Sequence, residues 1–261
     1  MTITRHFRQK TSLSILIIFA FTSCQPNTTN EQTIESLLSQ MTIAEKVGQI
    51  TQIDHRFLDD HSDITDYSIG SLLSGGGSHP KENTLKAWVD LYNGYQEKAL
   101  ASRLGIPLIY GIDAVHGHNN VKGATIFPHN IGLGATGNAD IVRLVSEATS
   151  SEVAATGINW TFAPCIATPQ DYRWGRTYEG FSSDAKLVLK LGVAAVEGYQ
   201  SANKKNPRKV IACAKHFIGD GNTVFGTGIK NLVDRGNTIM TRETLKETLI
   251  PAYQAAVDAG V

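Results

Sequence analysis

Three clusters of polar residues stand out because each comes after an apolar run. Asp113, His116, His118, Asn119 and Asn120 crowd into eight residues behind the run Ile106–Ile112. Arg173-Trp-Gly-Arg176 and Glu179 follow the run 158–166, and Lys215-His216 closes the run that begins at Val210. A carboxylate, two arginines, a lysine and a histidine are strong hydrogen-bonding groups; a neutral ligand such as a sugar fits them but is not implied. Asp113 can accept two hydroxyls at once, and charge-assisted hydrogen bonds are the stronger kind. Arg176 is a rigid cationic donor. Taken alone, Asp113 also reads as a turn or cap residue, Trp174 as either a stacking platform or a core residue, and His116 and His118 as loop braces. Arg173 and Glu179 are of opposite charge and are expected to pair across their loop. His116-Gly-His118 also permits a metal-hydrolase reading, with an activated water as nucleophile. That pattern wants His-x-His on the first strand of a barrel, and here an apolar run precedes it.

Such tips need elements that bring them together. Short apolar runs framed by turn residues read as buried strands. They are Ile69–Ser74, the segment 105–113, Ile158–Ile166 and Val210–Phe217. Helical spacing of apolar residues falls between them, at 82–102, after Asn138 and after Ser183, each of the last two placed as an N-cap. Thr42-Ile-Ala-Glu45 is a capping-box pattern. Thr241 is expected to cap a last helix ending at Asp258-Ala-Gly260, residues 54–67 form a charged loop, and 218–238 form a long Gly- and Asn-rich one. Gly75-Gly-Gly77 lacks the Lys-Ser/Thr of a phosphate-binding loop and reads as a turn. Strand–helix alternation calls for a parallel sheet with right-handed crossovers. Four expected strands are half of the eight in a closed (β/α)8 barrel. The fold class expected is therefore α/β, a partial TIM-type barrel of about the first half, truncated at the C-terminus.

Composition sets the frame. Lys plus Arg and Asp plus Glu are 24 each in 261 residues, so the net charge is zero. That balance offers no basic surface for nucleic acid and no acidic excess suggesting disorder. Cys165 and Cys213 show no C-x-x-C spacing and read as packed thiols. At the N-terminus, Arg5, Arg8 and Lys10 precede the apolar stretch Leu13–Phe21, too short to span a bilayer. Phe21-Thr-Ser-Cys24 resembles the lipobox of bacterial lipoproteins, with Phe21 where an aliphatic residue is usual. The expected organisation is a lipoprotein-type signal peptide over residues 1–24, lipidation at Cys24, a polar tether over 25–32 and one domain over 33–261. The expected location is exported, periplasmic or anchored to the outer membrane, with the lipid anchor holding a membrane surface.

Five segments in order carry a specific resemblance. They are Tyr110-Gly-Ile-Asp113-Ala-Val-His-Gly-His-Asn-Asn120, Phe127-Pro-His-Asn130, Phe162-Ala-Pro-Cys165, Arg173-Trp-Gly-Arg176-Thr-Tyr-Glu179 and Ala214-Lys-His-Phe217. Together they resemble the N-terminal barrel of family 3 glycoside hydrolases, the β-glucosidase and exo-β-glucanase type, from about residue 33 onward. The resemblance implies a retaining β-glucosidase that releases terminal β-D-glucose from β-glucosides or β-glucans and uses no cofactor or metal. It implies that Asp113, Arg176, Lys215 and His216 bind the non-reducing glucose. Retaining hydrolysis needs two carboxylates about 5–5.5 Å apart. The family takes its nucleophile from a later strand and its acid from a following domain or loop, so neither is expected before Val261. The other half of the barrel and that domain are then the missing partners, and the chain by itself is expected to be inactive.

Overall fold

The computed structural model describes residues 30–201 and 210–261. The expected signal peptide with Cys24, and residues 25–29 of the expected tether, lie outside them. The chain divides into two units, Met1–Gln40 and Met41–Val261. In the first, helix α1 spans Asn30–Gln40, so helix begins inside the stretch expected to be tether.

The second unit opens with α2 (Ile43–Gln49). Its capping box is formed: the Glu45 amide donates to Thr42 Oγ1 at 3.2 Å, and Thr42 N donates to Glu45 Oε2 at 2.8 Å. The order is then β1 (Gln52–Asp54), α3 (Asp63–Asp66), β2 (Ser71–Ser74), α4 (Leu85–Leu100), β3 (Ile109–Ile112), α5 (Asn130–Ala135), α6 (Ala139–Ala155), β4 (Trp160–Thr161), α7 (Ala185–Gln200), α8 (Arg242–Thr248) and α9 (Ile250–Asp258).

The sheet order is β1-β2-β3-β4, every pair parallel. Sequence neighbours are sheet neighbours throughout, the winding of a barrel rather than of an open doubly wound sheet. The run from Val210 continues the series: Trp160 bridges to Ile211 and Cys165 to Lys215, both parallel. The amides of Cys213 and Lys215 donate to the carbonyls of Ala163 and Pro164, at 2.8 and 3.0 Å. Pro164 has no amide to offer in return, which breaks the ladder into separate bridges.

Four expectations are corrected. β1 lies hidden at the edge of the expected 54–67 loop, because its three residues form no apolar run. The cap of α7 is Asp184, not Ser183; its carboxylate takes the Lys186 amide at 2.8 Å, while the Ser183 carbonyl accepts from Gln170. The last helix is two helices, α8 capped by Thr241 and α9 restarting at Ile250 with Pro251 in its first turn, where a ring without an amide is suited. The expected strand over 158–166 is regular only at Trp160–Thr161.

Two apolar cores among the described residues hold the sheet and its helices together. One gathers Leu72, Tyr110, Ile112 and Ile158 against Trp88 and Tyr95 of α4. The other packs Val188, Leu191 and Val196 of α7 against Val142 of α6 and Ala252 and Ala256 of α9. Gly134 of α5 lets the Phe181 carbonyl approach so closely that a Cβ would lie 1.7 Å from that oxygen. These cores hold the strands in register, so their C-terminal tips share one rim.

Candidate functional site

Asp113 leaves β3 one residue past Ile112, with its amide on the Ser74 carbonyl of the neighbouring strand. Lys215 Nζ lies 3.1 Å from Asp113 Oδ1, across 102 residues of sequence. The lysine is mostly enclosed and the aspartate half-buried. Next along the chain, His216 Nε2 faces Arg176 Nη2 at 2.8 Å. Arg176 also forks onto Glu179, Nε to Oε1 at 2.6 Å and Nη2 to Oε2 at 2.7 Å. His216 Nδ1 lies 3.1 Å from Asp220 Oδ2. All four residues singled out from the sequence therefore meet at one rim. Lys215 and His216 both reach it although adjacent, because the bridge at Lys215 is the last contact of the sheet there.

The expected Arg173–Glu179 pair is not formed. Arg173 turns back onto Asp171 and covers the ring of Phe225, its guanidinium carbon 4.0 Å from the ring centre. Glu179 belongs to Arg176 because the single turn Thr177–Glu179 carries it round beside that residue. Trp174 is buried and packs with Cys165, Ala167 and Val233, which settles it as core.

The loop after β3 braces this cluster. His116 and Phe127 bond reciprocally, ring Nδ1 to the Phe127 carbonyl at 3.1 Å and the Phe127 amide to the His116 carbonyl at 2.9 Å. Gly117 sits between the strands of that clasp at φ +98°, where a Cβ would lie 2.0 Å from the Thr125 carbonyl oxygen. The His116 ring stacks on His129 at 3.9 Å, and His129 meets Tyr178 edge-on at 4.6 Å. Asn130 Nδ2 donates to the Glu179 carbonyl at 2.8 Å. His118 instead turns inward, fully buried, with Nε2 on Thr156 Oγ1 at 3.2 Å. The two histidines of the His-x-His thus serve different partners and do not present paired nitrogens to one ion. Asn120 ties the loop base, accepting from the Gly77 amide and donating to the Asp113 carbonyl.

The electrostatics follow from these contacts. Burial opposes the charge of Glu179, but the Arg176 fork outweighs it and holds the carboxyl below its ordinary range. The same fork raises Arg176. Burial, then Arg176 and Lys215, lower His216, against the pull of Asp220 and Glu179. Burial alone lowers His118 to about 4.

Two contributors leave no signal in the sequence. Asp220 meets His216 across a turn that includes Gly219 at φ +110°. Tyr253, from α9, donates its hydroxyl to the His216 carbonyl at 2.7 Å, and nothing in the spacing points to that. An apolar trough of about 470 Å³ lies beside the cluster, lined by Ile109, Trp160, Ile211, Phe217, Tyr253 and Val257.

Known proteins resemble this chain in sequence and fold. Residues 42–261 match the glycosyl hydrolase family 3 N-terminal domain. The chain is 32% identical to a periplasmic β-glucosidase of Salmonella typhimurium, over 87% of this chain and 28% of that protein. Its structure superposes on an exo-1,3/1,4-β-glucanase of a Pseudoalteromonas species with a TM-score of 0.80 and 40% identity, covering 88% of this chain and 29% of that one. A β-glucosidase of Listeria innocua, solved as a D270A mutant with laminaribiose, gives 0.71 and 28%, covering 89% and 32%. The chain thus spans about a third or less of the length of these relatives. With the domain model matched over most of its length and the strand-end motifs gathered at one rim, the chain belongs to glycosyl hydrolase family 3.

Proposed function

We propose that the Asp113–Arg176–Lys215–His216 rim is part of a glucose-binding subsite in a retaining β-glucosidase that releases terminal β-D-glucose from β-glucosides or β-glucans. The observation that carries this reading is the 3.1 Å contact between Lys215 and Asp113 beside the 2.8 Å contact between Arg176 and His216. Tips of three successive segments converge, and each keeps capacity to spare. Asp113 Oδ2 is open to a sugar hydroxyl. Arg176 spends Nε and both Nη2 hydrogens on Glu179 and His216, leaving Nη1 to donate. Hydroxyls both donate and accept, so one pyranose can use both. Such bonds, tightening in the transition state, lower the barrier in glycosidases by several kcal/mol. The laminaribiose bound by the Listeria relative is a β-glucoside of the class proposed.

The reacting pair of carboxylates is proposed to come from polypeptide outside this rim. Asp113, Glu179 and Asp220 are each committed to a basic partner, Lys215, Arg176 and His216. Further barrel strands are proposed to cover the apolar trough beside Ile211. On this reading the 261-residue chain binds sugar weakly and turns nothing over. Assay of that chain with an aryl β-glucoside tests it: no release above buffer is expected, and turnover that survives repurification contradicts it. Export as a lipoprotein through Cys24 is part of the proposal, supported by the N-terminal motif and by the periplasmic location in the name of the Salmonella relative.

A further inference from the structure

The contact between Arg176 and His216 constrains where a proton sits. A guanidinium is always charged and can only donate. At 2.8 Å from Arg176 Nη2, His216 Nε2 must therefore present its lone pair. A neutral imidazole carries one proton, so here it sits on Nδ1. That nitrogen is shut off from solvent and has no well-aligned hydrogen-bond partner. What it does have is Asp220 Oδ2 at 3.1 Å, off the line of the N–H. The charged groups around the ring are Arg176, Lys215, Asp220 and Glu179. Two of them repel a proton, Glu179 is spent on Arg176, and Asp220 alone stands at the protonated nitrogen.

We propose that Asp220 is a positioning residue: its carboxylate keeps the His216 proton on Nδ1, so that Nε2 stays open as an acceptor and holds Arg176 with Nη1 facing the rim. Glu179 grips the guanidinium from one side and His216 from the other. With the proton on Nε2 instead, two donors would face each other and Arg176 would swing away. The consequence for ligand binding rests on the sugar-site reading; the proton placement does not. Asp220 touches no sugar in this scheme and acts only through the ring.

The test is nitrogen NMR of the imidazole rings in the full chain, with the His216 signals assigned by their loss in His216→Gln. Wild-type neutral His216 is expected in the Nδ1–H form. Asp220→Asn keeps the shape and removes the charge, and Asp220→Ala removes the acceptor as well. Both are expected to move the tautomer ratio toward Nε2–H, by about fivefold or more for alanine. A shift confined to alanine still supports the proposal and assigns the hold to the acceptor oxygen. A wild-type ratio in both variants, or wild-type His216 in the Nε2–H form, overturns it. A role for Asp220 in merely bracing its loop would leave the ratio alone. Glucose titration of the same samples keeps the two readings apart: wild-type chain that does not bind glucose sinks the sugar site and leaves the tautomer result standing.

Discussion

Glu179→Gln removes the charge that holds Arg176 while keeping the side chain's shape. Glu179 receives two short bonds from the guanidinium, at 2.6 and 2.7 Å, and its own side chain is only 12% exposed. A glutamine oxygen can keep one of them, but its NH2 then faces an N–H of Arg176. Breaking a fully buried ion pair costs about 3–5 kcal/mol. Arg176 is 39% exposed, so solvent screens part of that, and about 2 kcal/mol is the appropriate figure. In a chain of this size it lowers the Tm by about 4–8 °C. The sign with pH follows from the depressed Glu179 carboxyl. The unfolded chain binds its proton at higher pH than the folded one. The stabilisation is complete above the ordinary carboxylate range of about 4.3 and fades as pH falls through the lower, folded value. The gap between wild type and variant should therefore be full at pH 7 and shrink below about pH 4. Thermal melts at both pH values measure it. Arg173→Ala is the control, because that arginine pairs outward with Asp171 and stacks on Phe225 at the surface; its melt should stay close to wild type. A Glu179→Gln melt indistinguishable from wild type, or an equal loss for Arg173→Ala, would refute the assigned pairing.

Three shorter predictions accompany it. Asp113→Asn should weaken glucose binding by about 1.5–3 kcal/mol, roughly 10- to 150-fold, read by titration; unchanged affinity would remove Asp113 from the sugar contacts. His118 is buried neutral at about 4 against an unfolded value of about 6.5, so the unfolded chain takes up its proton first as pH falls. Stability should drop by about 3 kcal/mol between about pH 6.5 and 4 through this one group, and urea melts of His118→Gln should lack that part of the drop. Cys24→Ser should move the expressed protein from the membrane to the soluble fraction; unaltered partition would argue against lipidation at that cysteine.

What can be read from the residues, and what cannot, divides along physical lines. β2 and β3 announce themselves through apolar runs ending in glycine or in a polar burst, and the caps at Thr42, Asn138 and Thr241 sit at the expected positions. β1 is invisible because a strand of three residues carries too little apolar surface to make a pattern. Asp113, Arg176, Lys215 and His216 are legible as a set through the family resemblance of their motifs, and parallel strands explain how such ends come together. Their pairings are not. By charge alone, Arg173 is as good a partner for Glu179 as Arg176; the short turn at Thr177 decides between them by bringing Arg176 alongside. Asp220 depends on a glycine bend and Tyr253 on a helix 37 residues beyond its partner, and neither leaves a periodic trace.

Nitrogen–proton correlation spectra of the 261-residue chain during glucose titration test the central claim most directly. Convergence of the strand tips on one sugar predicts saturable shifts at Asp113, Arg176, Lys215 and His216, together and with one midpoint. Spectra unmoved at those four residues, or shifts confined to another face of the sheet, would contradict it.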